Sequence, residues 1–292
     1  MRTAMGTQVG PWAVVVALLS VSCIGALDSV RAETLRLAGS YDVSNAWGSN
    51  LRSIAYDGER IWTSVMDQGW ASRLYKHNMD GTLSLAGSWP ISSTYLTDMT
   101  FAGGYLWTSD NMTNQTVKYS IDAGGPHELG RYPQPIPSAL TDGAHGIGWD
   151  GQAFWLGQGN HIARVEYPSG RLLASYSAGY SCLGLEWDPE RDCLWLLDNI
   201  PTGQGYWTTI LRQYTVSGNS LVEIGQYDLQ PFLTPSQDGN YGAAGLTVGG
   251  GYIWTTDQYH FKVLQLEVVP EPATLALLGA GLLGLWATKR WR

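Results

Sequence analysis

Three aspartates follow a tryptophan at the same interval: Asp110 after Trp107, Asp198 after Trp195 and Asp257 after Trp254. Gln158 holds the equivalent place after Trp155, and Val65 breaks the pattern after Trp62. Arg52, Asp98 and His145 stand just ahead of the apolar runs that lead to these tryptophans. Two chemistries suit such a set. Converging carboxylates supply the oxygen ligands that Ca2+ prefers, so Asp110, Asp198 and Asp257 are metal candidates, and calcium is the one cofactor in view. A carboxylate near an imidazole can serve acid–base work, which makes Asp98 and His145 the catalytic candidates. The competing expectation is structural: an Asp that recurs with a repeat caps its own turn by accepting local backbone N–H groups. No stronger catalytic signature accompanies them. HExxH, CxxC and a Gly-x-Ser-x-Gly turn are all missing from the sequence.

A second set of residues suits binding rather than catalysis. Trp (14) and Tyr (16) far outnumber Phe (4), and only 14 % of residues are charged. Aromatic rings with a polar edge stack well on ligands that are partly apolar and partly wet, sugar rings among them. Trp47, Trp70, Tyr95, Tyr180, Trp207, Tyr241 and Tyr259 stand outside the repeat, in or near expected loops, and are the ligand-binding candidates. The net charge of −8 excludes a basic nucleic-acid footprint.

The elements that must position these residues come from an internal repeat. An apolar strand, a turn and a second strand ending in an aliphatic or aromatic residue and Trp recur five times. The copies are Ile54–Trp62, Met99–Trp107, Ile147–Trp155, Leu185–Trp195 and Leu246–Trp254, with Asp57-Gly58 and Gly103-Gly104 among the turns. Such turns between alternating strands mark hairpins. The tryptophans are roughly 40 to 60 residues apart, which matches one four-stranded propeller blade per copy. The fold class expected is therefore all-β, a β-propeller over 33–269, with five four-stranded blades. The last copy lacks a fourth strand, and Leu35–Tyr41 resembles one, so the N-terminal strand is expected to complete the last blade and close the ring, leaving no open edge. A six-bladed ring, with extra strands within 202–241, and a β-sandwich are the alternatives. The five repeated tryptophans are expected to pack between blades. In a propeller the loops that leave second strands and those that enter first strands share one face, which would gather the Asp and His candidates.

Cysteine usage adds a distance argument. If the fourth turn centres on Glu190 and Arg191, Cys193 lies opposite Asp188 and Cys182 is six positions further along. The two sulfurs are then about 20 Å apart, beyond disulfide reach. Two free, buried thiols are expected.

Both ends look like processing segments. Arg2, an apolar stretch from Trp12 to Ala26 and Val30-Arg31-Ala32 have the layout of a signal peptide over 1–32, with cleavage after Ala32 or after Ala26. A permanent N-terminal membrane helix is the other reading. At the far end stand Pro270-Glu271-Pro272, an apolar run and Lys289-Arg290-Trp291-Arg292. Residues 270–292 resemble the PEP-CTERM sorting signal, with a transmembrane helix over 274–288 and a basic tail kept on the cytoplasmic side. An ordinary C-terminal membrane anchor is the other reading. That resemblance implies an exosortase-type processing enzyme as partner, a membrane stage, and then the cell surface or extracellular matrix. It often accompanies exopolysaccharide and biofilm.

The third copy is also similar to glutamine cyclotransferase, a five-bladed propeller, through Gly146–Gly151, Ala163-Arg164-Val165 and Ser169–Leu173. That family is expected to carry an acidic residue just after the aromatic of the second strand, where Leu156 and Gly157 stand here. The Trp-x-x-Asp pattern is similar to streptogramin-lyase and lactonase-type propellers. The function expected is non-catalytic binding of extracellular polysaccharide or envelope matrix by a surface-sorted propeller. The alternative is a propeller enzyme of lactonase, lyase or glutamine cyclotransferase type, built on the Asp/His face.

Overall fold

Alternating apolar and polar residues between tight turns dictate short antiparallel strands, and strands are what form. The computed structural model describes residues 33–44, 50–66, 72–93, 95–135, 143–202, 207–240 and 242–270. Residues 35–267 make up one unit. A second comprises 1–34 and 268–292, of which only 33–34 and 268–270 are described. The expected signal peptide, the apolar run 274–288 and the basic tail lie outside the described residues. Among the described residues no helix is long and apolar enough to cross a membrane.

β1 (Glu33–Asp42) opens the described chain. β2 (Asn50–Tyr56), β3 (Arg60–Met66), β4 (Ser72–Asn78) and β5 (Leu85–Ile91) form one four-stranded sheet in that order. β6 (Leu96–Ala102), β7 (Tyr105–Asp110), β8 (Gln115–Asp122) and β9 (Gly125–Pro133) form the next. β10 (Gly146–Trp149), β11 (Phe154–Glu166), β12 (Arg171–Asp188), β13 (Cys193–Pro201), β14 (Trp207–Ser217) and β15 (Ser220–Asp228) form a six-membered sheet. β16 (Ala243–Gly249), β17 (Tyr252–Asp257) and β18 (Lys262–Pro270) make the last, with β1 beside β18. β18 thus reaches Pro270, the first residue of the expected sorting signal.

Two long elements each do the work of two strands. The first part of β11 pairs with β10, from Trp149↔Phe154 to Gly146↔Gly157. Its second part pairs with the start of β12, from His161↔Ser177 to Glu166↔Arg171. The remainder of β12 pairs with β13, from Cys182↔Asp198 to Asp188↔Cys193. Gly159 and Gly179, at φ +54° and +71°, mark the bends, where a side chain would strain the backbone. Within 202–241, the place of the extra strands a six-bladed ring would need, the described residues supply β14, β15 and the 3-10 turn Gln230–Phe232. Cys193 faces Asp188 as the turn predicts, and Cys182 and Cys193 are both buried and form no disulfide.

The repeated tryptophans share one environment. Trp62, Trp107, Trp155, Trp195 and Trp254 are all buried. Trp62, Trp155 and Trp195 donate Nε1–H to Asp57, Asp150 and Asp188 at 2.7, 2.9 and 3.1 Å. Where the repeat has no Asp, the backbone takes over: Trp107 donates to Ala102 O at 3.3 Å and Trp254 to Gly249 O at 3.0 Å. Each ring also meets one aromatic of an outer strand. The pairs are Trp62–Trp89, Trp107–Tyr132, Trp155–Tyr176, Trp195–Tyr227 and Trp254–Tyr41, with centroids 5.5–6.1 Å apart. Tyr41 belongs to β1, so the N-terminal strand gives Trp254 what an outer strand gives every other copy. Tyr41 also donates to Gln265 Oε1 at 2.7 Å. Lys76, Lys118 and Arg164 on the third strands sit over Trp62, Trp107 and Trp155 at 5.0, 5.2 and 5.8 Å, a favourable cation–π placement.

Candidate functional site

The first strands of the repeats lie against one another. β2 contacts β6, β6 contacts β10, β10 contacts β12, β12 contacts β16, and β16 contacts β2. The residues just before Ile54, Met99, Ile147, Leu185 and Leu246 are Ser53, Asp98, Gly146, Gly184 and Gly245. Four of the five are small, and the reason is space. A Cβ on Gly184 would stand 2.9 Å from the Gly245 carbonyl carbon, and one on Gly245 2.6 Å from Ser53 Cα. The room left holds one carboxyl, that of Asp98. It accepts the backbone N–H groups of Ile147 and Leu185 at 3.2 Å and Leu246 at 3.4 Å. These donors are the residues that follow the three glycines. Asp98 thus ties its own strand to three others.

The same plan recurs two residues on. The equivalent positions are Ala55, Thr100, Gly148, Glu186 and Thr247. Glu186 accepts Thr100 Oγ1–H at 2.9 Å, Trp149 N–H at 3.0 Å and Trp187 N–H at 3.1 Å. Burial pushes the Glu186 carboxyl up to about 8, against the pull of those bonds. Burial also pushes Asp98 up, again against its backbone bonds, with the nearby Glu186 charge adding to the rise. Glu186 was not among the sequence candidates. Aligning the five copies would have exposed it as the single acid in a column of small residues.

The expected metal candidates each bond a separate set of partners. Asp110, Asp198 and Asp257 end or nearly end their second strands and are buried. Asp110 bonds Ser93 Oγ at 3.0 Å and Arg131 at 3.4 Å. Asp198 takes Ser181 N–H at 2.7 Å and Arg212 Nε at 2.6 Å. Asp257 takes Thr234 N–H at 3.1 Å and meets His260 Nδ1 at 3.2 Å. Asp110 also accepts a backbone N–H from its own turn, that of Thr113 at 3.3 Å. The other two bond residues 17 and 23 positions away, because the strand ends bring separate loops together. Among the described residues no three His, Cys, Asp or Glu side chains gather as a metal site.

The loops leaving second strands do meet those entering first strands. Asn111 N–H bonds Tyr95 O, Gly143 N–H bonds Asn111 O, and Leu51 N–H bonds Gln258 O. At this mouth the guanidinium of Arg52 lies 5.4 Å over the ring of Tyr95. His145 is half-buried, its N–H bonded to Gly157 O at 2.7 Å. Trp207, the first residue of β14, and Tyr259, in the turn after β17, are each 38 % exposed. Trp207 N–H bonds Asn240 Oδ1 at 3.0 Å. Tyr180 falls inside β12 rather than in a loop. Trp47, Trp70 and Tyr241 lie outside the described residues.

Residues 268–290 match the model of the PEP-CTERM protein-sorting motif. The chain carries a PEP-CTERM sorting signal. The motif implies export, handling by an exosortase-type enzyme and anchoring at the cell envelope. No curated protein matches the sequence. Among solved structures, the Myxococcus xanthus glutaminyl cyclase is similar at TM-score 0.60 and 11 % identity, over 82 % of this chain and 98 % of that one. That likeness is one of fold. The PQQ-bound aldose sugar dehydrogenase from Streptomyces coelicolor aligns at TM-score 0.47 and 11 % identity, over 82 % of this chain and 100 % of that one.

Proposed function

We propose that this is a five-bladed propeller, closed by β1, whose mouth binds extracellular polysaccharide without catalysis after PEP-CTERM sorting to the surface. Closure is supported by the unbroken circuit of contacts among the first strands and by Tyr41 on Trp254. The observation that carries the binding reading is the contrast at the mouth. Trp207 and Tyr259 are presented to solvent, while Asp110, Asp198 and Asp257 are buried against Arg131, Arg212 and His260. Asp98 is buried among backbone N–H donors. Exposed rings stack on sugars; carboxyls spent on internal bonds are poor general acids.

The test is glycan retention by the full chain in detergent. Trp207→Ala and Tyr259→Ala should each weaken retention on an array at least about tenfold, as loss of an aromatic anchor does. Folding stability should change by no more than about 0.5 kcal/mol, as expected for surface positions. Chelator should change nothing. The second reading, an enzyme of glutaminyl cyclase type, draws on the likeness of fold. Turnover of an N-terminal glutaminyl peptide, abolished by Asp98→Asn, would replace the binding reading.

Sorting has its own test. Replacing Pro270, Glu271 and Pro272 together with Ala should leave the chain uncleaved in the inner membrane. Fractionation and an immunoblot read this out, and normal maturation of the variant would refute the role given to the three residues.

A further inference from the structure

A guanidinium is charged at every ordinary pH and has only donors, so each one calls for an acceptor. Every other described arginine donates to a side-chain oxygen. Among the described residues Arg52 donates to none. Its Nε is buried without a hydrogen-bond partner, and its guanidinium lies 5.4 Å over the ring of Tyr95. The sequence explains the missing partner. β2 and β3 contain no Asp or Glu. The first copy has a buried Val65 where Asp110, Asp198 and Asp257 meet Arg131, Arg212 and His260 in other copies.

The backbone places this cation at the mouth. The pairing of β2 with β3 slips between Leu51↔Val65 and Ser53↔Ser64, so Arg52 is the extra residue of a bulge. Bulges re-aim a side chain. In the equivalent bulge of β6, Thr97 turns inward and donates to Ala144 O at 2.9 Å. Arg52 makes no such bond, and the residue is half-buried. The neighbouring Leu51 N–H bonds Gln258 O at 3.2 Å. That bond brings the chain at Arg52 beside the chain at Tyr259, which follows Gln258 and is 38 % exposed. A cation and an exposed ring thus share one corner of the mouth.

We propose that Arg52 is the carboxylate anchor of the mouth, and that the glycan it serves is acidic, built of uronic acid residues. The inference rests on the mouth reading and adds the chemical class of the ligand. A guanidinium offers two parallel N–H bonds to a carboxylate. The Tyr95 ring beneath it holds the fork by a cation–π contact. A sugar further along the strand lays its apolar face on Tyr259. A neutral glycan would strip water from the guanidinium and supply no counter-charge, at a cost. A uronate brings the partner that the first copy lacks. No proton moves on binding, because sugar carboxylates, like those of proteins, are ionised above about pH 4.

The experiment is retention of the full chain in detergent on oligomers of galacturonate and of mannuronate, each beside the same oligomer with its carboxyls reduced to alcohols. Chelator is present throughout, so that calcium cannot bridge carboxylates. The unaltered chain should hold at least one uronate about tenfold more tightly than its reduced form, as a charge-assisted bond pair does. Arg52→Gln should remove that preference. Arg52→Lys keeps the charge without the fork and should restore only part of it. Melting temperatures should match in all three proteins. A preference that survives Arg52→Gln overturns the anchor. So does equal retention of acidic and reduced oligomers by the unaltered chain; if Trp207→Ala still weakens both, the mouth reading stands without it. A preference lost in Arg52→Gln while Trp207→Ala and Tyr259→Ala are silent upholds the anchor and removes the stacking rings. Retention of no glycan overturns both readings. Poly-glutamate held as tightly as the uronate and released by Arg52→Gln also overturns the proposal, because the occupant would then be an acidic peptide.

Discussion

Trp195→Ala should cost about 3–5 kcal/mol of folding stability, the range for emptying a large buried aromatic site. The ring is fully buried. Its Nε1–H bonds Asp188, which also accepts the N–H groups of Glu190 and Arg191 and pairs with Arg191 at 2.9 Å. Truncation therefore opens a cavity and removes one donor from a buried carboxylate. The turn between β12 and β13 is held by the same Asp, so its register should loosen too. Urea denaturation of the full chain in detergent gives the measurement. A loss under about 1 kcal/mol, the size of a typical surface or conservative change, would show that the repeated ring is not a packing element. Trp62→Ala and Trp254→Ala should fall in the same range.

Glu186 makes the fold less stable as pH rises. Its folded pKa is about 8, against an ordinary value of about 4.3 in an unfolded chain. Between those values the folded state binds more protons than the unfolded state, so stability is lost as pH climbs through the window. Below about pH 4.3 the contribution is fully present, and above about 8 the decline levels off. Asp98, pushed up by burial, acts in the same direction. The expected effect across the window is on the order of a few kcal/mol. Glu186→Gln should flatten most of this slope, because the amide oxygen still accepts from Trp149 and Trp187 and the amide group can donate to Thr100. Denaturation midpoints at pH 5, 6, 7 and 8 test it. The double variant Glu186→Gln, Asp98→Asn should be flat, and an undiminished slope in it would place the titrating groups elsewhere.

Both predictions rest on columns of equivalent residues, and the columns show why one part of the site was legible and another was not. Period-two alternation, turn glycines and five recurring tryptophans are local signals, and local signals survive in a linear chain. They marked the strands, the turn at Glu190-Arg191 and the separation of Cys182 from Cys193. The same signals misjudged Tyr180, because a positive-φ glycine at 179 bends β12 without ending it. They also left Asp198 and Asp257 between metal ligands and caps of their own turns, when the backbone N–H groups they accept belong to Ser181 and Thr234 of separate loops.

By itself, then, the sequence determined an exported chain with a sorting signal read at 270–292, where the motif matches 268–290, and an all-β body of repeated hairpins. Sorting signals are read as linear segments, and hairpins are set by neighbours in the chain, so neither needs tertiary contacts to be recognised. Only the tertiary structure decided which acids are spent and which surfaces stay open. Asp98 meets N–H groups from residues 147, 185 and 246, and Glu186 meets Thr100 and Trp149. Those outcomes depend on the distance between segments far apart in the chain, and the packing of strand against strand sets that distance.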